Sequence, residues 1–163
     1  MSADSKAGQD LATQTAGALS EAREGLPPTG KSLPIALIRA REKVMGPIRD
    51  MLSTSDITEQ QWRVLRVLHE YGPQDATSLA ERAALHLPSQ TRIVQTLSQK
   101  GYVTRDVDVI DRRRQTVAIT MPGKLVLDSK KDEAARIAKD LEGRFGVQKL
   151  ATLLSLLEEL DQI

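Results

Sequence analysis

Residues 75–101 read DATSLAERAALHLPSQTRIVQTLSQKG, and this stretch decides the fold. It holds two amphipathic segments. In the first, 75–85, Leu79, Ala80 and Ala83 fall on one face at helical spacing. In the second, 88–101, Pro88 suits a first helical turn. Ile93, Val94 and Leu97 form its apolar face, and Gly101 supplies the stop. Only a short turn around His86-Leu87 separates the two. Short helices joined so tightly match the geometry of a helix-turn-helix.

Working outward, YVTRDVDV (102–109) and QTVAIT (115–120) read as two strands of a hairpin. Its tip carries Asp111 followed by Arg112, Arg113 and Arg114. Upstream, TEQQWRVLRVLHEYG (58–72) predicts a helix with Thr58 and Gln61 as a capping pair. Its stripe is Trp62, Leu65 and Leu68, and Gly72-Pro73 stops it. Before it, SLPIALIRAREKVMGPIRDML (32–52) places Leu33, Leu37, Ala40, Val44, Ile48 and Leu52 at helical spacing. Ser32 can cap this helix, and Gly46-Pro47 should kink rather than end it, because the apolar pattern continues beyond. Residues 121–145 predict one long polar-faced helix. Residues 147–163 predict an apolar-striped one carrying Leu150, Leu153, Leu154, Leu157 and Leu160. The expected fold is mostly α with a small β-hairpin wing. A winged helix-turn-helix over 58–120 is flanked by long helices within 32–57 and 121–163, with 1–31 a weakly structured arm.

Composition narrows the function classes. The 163 residues are 40% hydrophobic and 28% charged, the balance of an ordinary globular domain. Aromatics are only 2%, so the core is mostly aliphatic, which favours helices. There is no cysteine, which removes disulfides, thiolate metal sites and thiol redox sensing. No apolar run approaches the ~18 residues of a membrane span, and no apolar leader opens the chain, so a cytoplasmic address is expected. Neither a phosphate-cradling glycine loop nor a nucleophile elbow is present. His69 and His86 lie on different elements without ligand spacing. The reading is therefore non-enzymatic, with no catalytic residue, metal or cofactor. Net charge is +1, but residues 82–114 carry seven Lys/Arg against three Asp/Glu, whereas 125–163 carry six against eight. A basic middle points to an anionic partner.

On a helix-turn-helix frame, segment 88–101 is the one that enters a DNA major groove. Ser89, Gln90, Thr91, Arg92 and Gln95 are its candidate contacts. Glutamine pairs adenine edges, arginine pairs guanine or phosphate, and Ser89 with the helix N-terminus suits a phosphate oxygen. The alternative is that these are ordinary solvated helix positions. The chain further resembles MarR-type repressors through ITEQQWRVLRVLHEYGP (57–73) and LAERAALHLPSQTRIVQTLSQKGYVTRDVDVIDRRRQTVAITMPG (79–123). The most family-specific element is Asp111-x-Arg113-x-x-x-Val117. The resemblance runs from about residue 33 to 162. LPIALIRAREKVM (33–45) with Gln61-Trp62-Arg63 is similar to the regulators of homoprotocatechuate (4-hydroxyphenylacetate) degradation within that family. The resemblance implies that Arg113 enters an adjacent minor groove. Asp111 then reads as a brace for the tip, and Arg112 and Arg114 as added phosphate attraction. A charged hairpin end without such contacts is the alternative.

A two-fold dimer would set two such helices about 34 Å apart on a pseudo-palindromic double-stranded operator. The interface candidates are Leu33, Leu37, Leu150, Leu153, Leu154, Leu157 and Leu160, with ordinary intrachain core as the alternative. The resemblance also implies a small aromatic carboxylate effector that releases the repressor. Arg39, Arg41, Trp62, Arg63 and His86 are its candidate contacts, since an arginine fork holds a carboxylate and Trp62 offers an apolar wall. Core packing for Trp62, ion pairs with Glu42, Asp50 or Glu59 for Arg39 and Arg41, and a surface turn for His86 stand beside that reading. A winged-helix protein–protein adaptor without specific DNA binding is the functional alternative.

Overall fold

The computed structural model describes residues 28–107 and 115–163. The chain divides into two compact units, the first ending at Lys43 and the second running from Val44 to Ile163. Within the first, a 3₁₀ turn, Thr29–Lys31, precedes the opening of helix α1, Leu33–Leu52, which runs on into the second unit. As expected, Gly46-Pro47 does not end α1.

The second unit continues with α2 (Glu59–Tyr71), β1 (Gln74–Asp75), α3 (Ala76–Arg82), α4 (Leu87–Gln99), β2 (Val103–Val107) and β3 (Gln115–Ile119). Helices α5 (Met121–Asp128), α6 (Lys131–Phe145) and α7 (Val147–Asp161) complete it. The caps follow from local chemistry. Thr58 and Gln61 form a reciprocal box: the Gln61 amide donates to Thr58 Oγ1 at 3.3 Å, and the Thr58 amide donates to Gln61 Oε1 at 3.1 Å. Asp75 caps α3 by accepting from the Thr77 and Ser78 amides at 2.9 and 3.0 Å. The Ser78 amide and hydroxyl hold the Asp75 carboxyl below its ordinary carboxylate range.

The β-hairpin is antiparallel, from Val103 opposite Ile119 to Val107 opposite Gln115. The sheet has a third strand that the alternation did not announce. Gln74 and Asp75 pair with Val117 and Thr116, giving the order β1-β3-β2. Two residues between a helix stop and a helix cap are too few for a period-2 signal. The expected single helix over 121–145 is broken at Ser129-Lys130. There the Ser129 hydroxyl donates to the Val126 carbonyl at 2.8 Å, and the Lys130 amide takes a short bond to the Leu127 carbonyl at 3.1 Å.

The core lies where α2, α3, α4 and the sheet meet. Val64, Leu65, Leu68, Leu79 and Leu97 are fully buried, with Val103 and Val117 from the strands and Leu127 from α5 packed on them. Each such leucine contributes about 1.5–3 kcal/mol through removal from water. Among the described residues, no helix is long and apolar enough to cross a membrane.

Candidate nucleic-acid interface

Helix α3, a turn and helix α4 build the candidate site. The end of α3 is closed by two hydrogen bonds, from the Ala84 amide to the Glu81 carbonyl at 3.0 Å and from the Leu85 amide to the Ala80 carbonyl at 2.9 Å. This is a Schellman closure. Its left-handed position is held by Ala84, at φ 47°. The end of α4 repeats the same closure, Gly101 to Ser98 at 3.0 Å and Tyr102 to Leu97 at 2.9 Å, with glycine at φ 73°. The contrast gives a prediction. Ala84→Gly relieves a Cβ penalty of about 1–2 kcal/mol against a smaller loss of chain entropy. It should raise stability by about 0.5–1 kcal/mol in urea unfolding; a destabilised variant would show that Ala84 carries no such penalty.

Helix α4 starts after His86, whose side chain makes no capping bond, with Pro88 in the first turn. With Pro88 lacking an N–H, the Leu87 and Ser89 amides, which His86 does not cap, are what this helix start can offer an anion. Ser89, Thr91, Arg92 and Gln95 are all exposed on α4. The Thr91 hydroxyl donates to the Leu87 carbonyl at 3.1 Å, so its proton is already used within the helix. Gln90 is a correction: it is 2% exposed and belongs to the interior, so it does not present its amide to a base edge. The 3.6-residue period explains this, because Gln90 precedes the buried Ile93, Val94 and Leu97 by three, four and seven positions.

Three basic side chains tie the helix-turn-helix to its surroundings. Arg63 Nη1 donates to the Ala84 carbonyl at 3.4 Å and pairs with Glu59 at 4.0 Å, and Glu59 in turn meets Arg49 at 3.6 Å. Arg105 Nη2, on β2, donates to the Thr91 carbonyl at 3.4 Å. Lys100, which closes α4, binds the Asp56 backbone carbonyl and, at 3.0 Å, its carboxylate. Arg105 and Lys100 counted in the sequence only toward the basic balance; no local signal marked their partners, which lie 14 and 44 positions away.

Asp111, Arg112, Arg113 and Arg114 lie outside the described residues; the flanking strand ends pair as Val107 with Gln115. Of the effector candidates, Arg39 and Arg41 belong to the unit ending at Lys43, and Arg41 pairs with the neighbouring Glu42 at 3.1 Å. Trp62 is 6% exposed and packs in the core, the alternative that stood beside its reading as a pocket wall. Arg63 makes the contacts above, and His86 is exposed at the start of α4. Among the interface candidates, Leu33, Leu37, Leu153, Leu154 and Leu160 are exposed, and Leu150 and Leu157 half-buried. Among the described residues, no group of His, Asp and Glu has the arrangement of a metal site.

A tight α3–turn–α4 pair followed by the antiparallel strands β2 and β3 defines a winged helix-turn-helix protein. The MarR family profile matches residues 57–114. The chain is 34% identical over 128 residues to the homoprotocatechuate degradative operon repressor of Escherichia coli, covering 78% of this chain and 86% of that one. It is 36% identical over 132 residues to the HTH-type transcriptional regulator FarR of Neisseria gonorrhoeae, covering 81% and 90%. The crystal structure of NadR in complex with 4-hydroxyphenylacetate superposes with a TM-score of 0.72 at 36% identity, over 81% of this chain and 94% of that one. The chain belongs to the MarR family of transcription regulators. The matched relatives are regulators, not enzymes.

Proposed function

We propose that this chain is a dimeric, cytoplasmic repressor that binds a pseudo-palindromic double-stranded DNA operator and is released by a small aromatic acid. The observation that carries the DNA reading is the exposed polar face of α4, Ser89, Thr91, Arg92 and Gln95, following an uncapped helix start. Ser89 and the free amides suit phosphate, while Arg92 and Gln95 suit base edges. Arg113 is assigned to an adjacent minor groove, Asp111 to bracing the tip, and Arg112 and Arg114 to phosphate attraction.

The dimer reading is supported by the apolar row that one copy leaves open on α7, where Leu153, Leu154, Leu156 and Leu160 are exposed; Leu154 is 54% accessible. Such a row is costly to leave in water and matches a two-fold contact. Light scattering at micromolar concentration should give twice the chain mass; a monomer refutes it.

The effector reading is supported by NadR, whose structure holds 4-hydroxyphenylacetate. In this chain, Arg39, Arg41, Arg63 and His86 are the candidate carboxylate and phenol contacts. The decisive experiment is anisotropy of labelled DNA from upstream of the chain's own gene, against a random duplex. Arg92→Ala should lose about 1–3 kcal/mol on the first and little on the second. A wild-type chain that treats both alike would be the adaptor instead. Aromatic acids titrated into the bound complex should release it; none doing so removes the effector.

A further inference from the structure

Lys100 is the last cation of the basic middle segment before the wing, yet its surroundings are those of a structural group. Its side chain is only 23% exposed, and the ammonium gives two hydrogen bonds to one residue, Asp56, at the backbone carbonyl and at Oδ1. Asp56 lies in the loop between α1 and α2. That loop is fixed at several further points. The Ser55 amide donates to the Leu52 carbonyl at 2.8 Å, and Lys130 donates to Thr54 Oγ1 at 3.0 Å. Met51, Leu52 and Ile57, on either side, are in the core.

The place of the contact on α4 matters as much as its strength. Lys100 is the residue that closes the C-terminal end, where a cation also meets the carbonyl end of the helix dipole. Ser89, the candidate phosphate contact, stands eleven residues before Lys100, and the candidate base contacts Arg92 and Gln95 stand eight and five. At 1.5 Å per residue these lie about 17, 12 and 8 Å along the axis. A tilt of about 10° pivoting at Lys100 therefore moves the helix by roughly 3 Å at Ser89, 2 Å at Arg92 and 1.3 Å at Gln95, each more than the roughly half-ångström range of hydrogen-bond lengths.

We propose that Lys100 is a positioning residue, a strut to Asp56 that fixes the angle of α4, and that recognition depends on this contact rather than on the lysine's charge. The proposal rests on the DNA-binding reading above. It makes a sign test available at Asp56, whose side chain is 77% exposed. If electrostatics alone mattered, deleting this negative charge would tighten binding to every duplex. If the strut matters, deleting it weakens binding to the specific site.

The test uses the full chain as wild type, Asp56→Ala, Lys100→Met and the double variant. Each is titrated on the upstream fragment and on a random duplex from 50 to 300 mM salt. Amide exchange across residues 96–102 is followed without DNA. Asp56→Ala and Lys100→Met should each lower specific affinity about three- to tenfold and leave random-duplex binding and the salt slope unchanged. The double variant should be no worse than the singles, and exchange at 96–102 should quicken in all three. Tighter binding of Asp56→Ala to both duplexes overturns the proposal. So does a Lys100→Met slope reduced by about 0.9 with equal loss on both, the mark of a phosphate contact. Unchanged exchange in every variant overturns the strut itself. A wild type that does not discriminate the two duplexes overturns the DNA-binding reading, whatever the exchange data give.

Discussion

Gly123→Ala is expected to destabilise the protein by about 2–3 kcal/mol, against the usual direction of a glycine-to-alanine change in a helix. Gly123 lies in the first turn of α5, capped by Thr120, whose Oγ1 accepts from the Gly123 amide at 3.3 Å and donates to the Gly101 carbonyl at 2.6 Å. The Thr120 amide also donates to the Tyr102 carbonyl at 3.0 Å. These bonds draw the start of α5 onto the segment between α4 and β2. A Cβ built at Gly123 would stand 2.3 Å from the Tyr102 carbonyl oxygen and 2.9 Å from Ile119 Cγ1. The oxygen is backbone, so relief requires α5 to move away from the base of the wing. Gly143→Ala is the control: among the described residues, nothing outside its own helix backbone lies within 4 Å of its Cβ position in α6, and it should gain about 0.5–1 kcal/mol. Urea unfolding at fixed protein concentration measures both. Two changes of the same sign would contradict this account.

The second large effect concerns the wing. Replacing Arg112, Arg113 and Arg114 together by glutamine should lower operator affinity on the order of 100-fold near 0.15 M salt. It should reduce the slope of log K against log salt by up to about 2.7, since each lost phosphate neutralisation removes about 0.9. Arg113→Gln alone separates the roles proposed within the run. A minor-groove arginine reads a narrow A·T tract, so its loss should weaken A·T-flanked sites more than G·C-flanked ones. Arg112→Gln and Arg114→Gln should weaken both equally. A triple variant with an unchanged salt slope would remove the wing from the interface.

Much of the fold was legible because its signals are local. The Thr58–Gln61 box, the glycine stop at Gly101 and the period of Ile93, Val94 and Leu97 each act within a turn or two of helix, and the structure has all three. The site was legible at the level of its frame. Ser89, Thr91, Arg92 and Gln95 are exposed on α4 as expected, whereas Gln90, chemically suited to adenine, sits on the buried face that its spacing from Ile93, Val94 and Leu97 prescribes. The two-residue strand β1 and the break at Ser129-Lys130 escaped a reading based on periodicity, since neither is long enough to have a period.

By itself, then, the sequence determined the long helices up to Gly101 and the two hairpin strands, the Thr58–Gln61 cap, and that a helix-turn-helix followed by a basic hairpin stands in the middle of the chain. Hydrogen bonds within a turn and the burial of a periodic stripe need only neighbours in sequence. Tertiary structure decided what the individual polar and small residues do. It turned Gln90 and Trp62 inward, engaged Lys100 with Asp56 and Arg105 with Thr91, and pressed Gly123 against the Tyr102 carbonyl. Those outcomes depend on which element arrives opposite a side chain, across 14 to 44 positions of sequence for the two cations, and nothing local encodes that meeting.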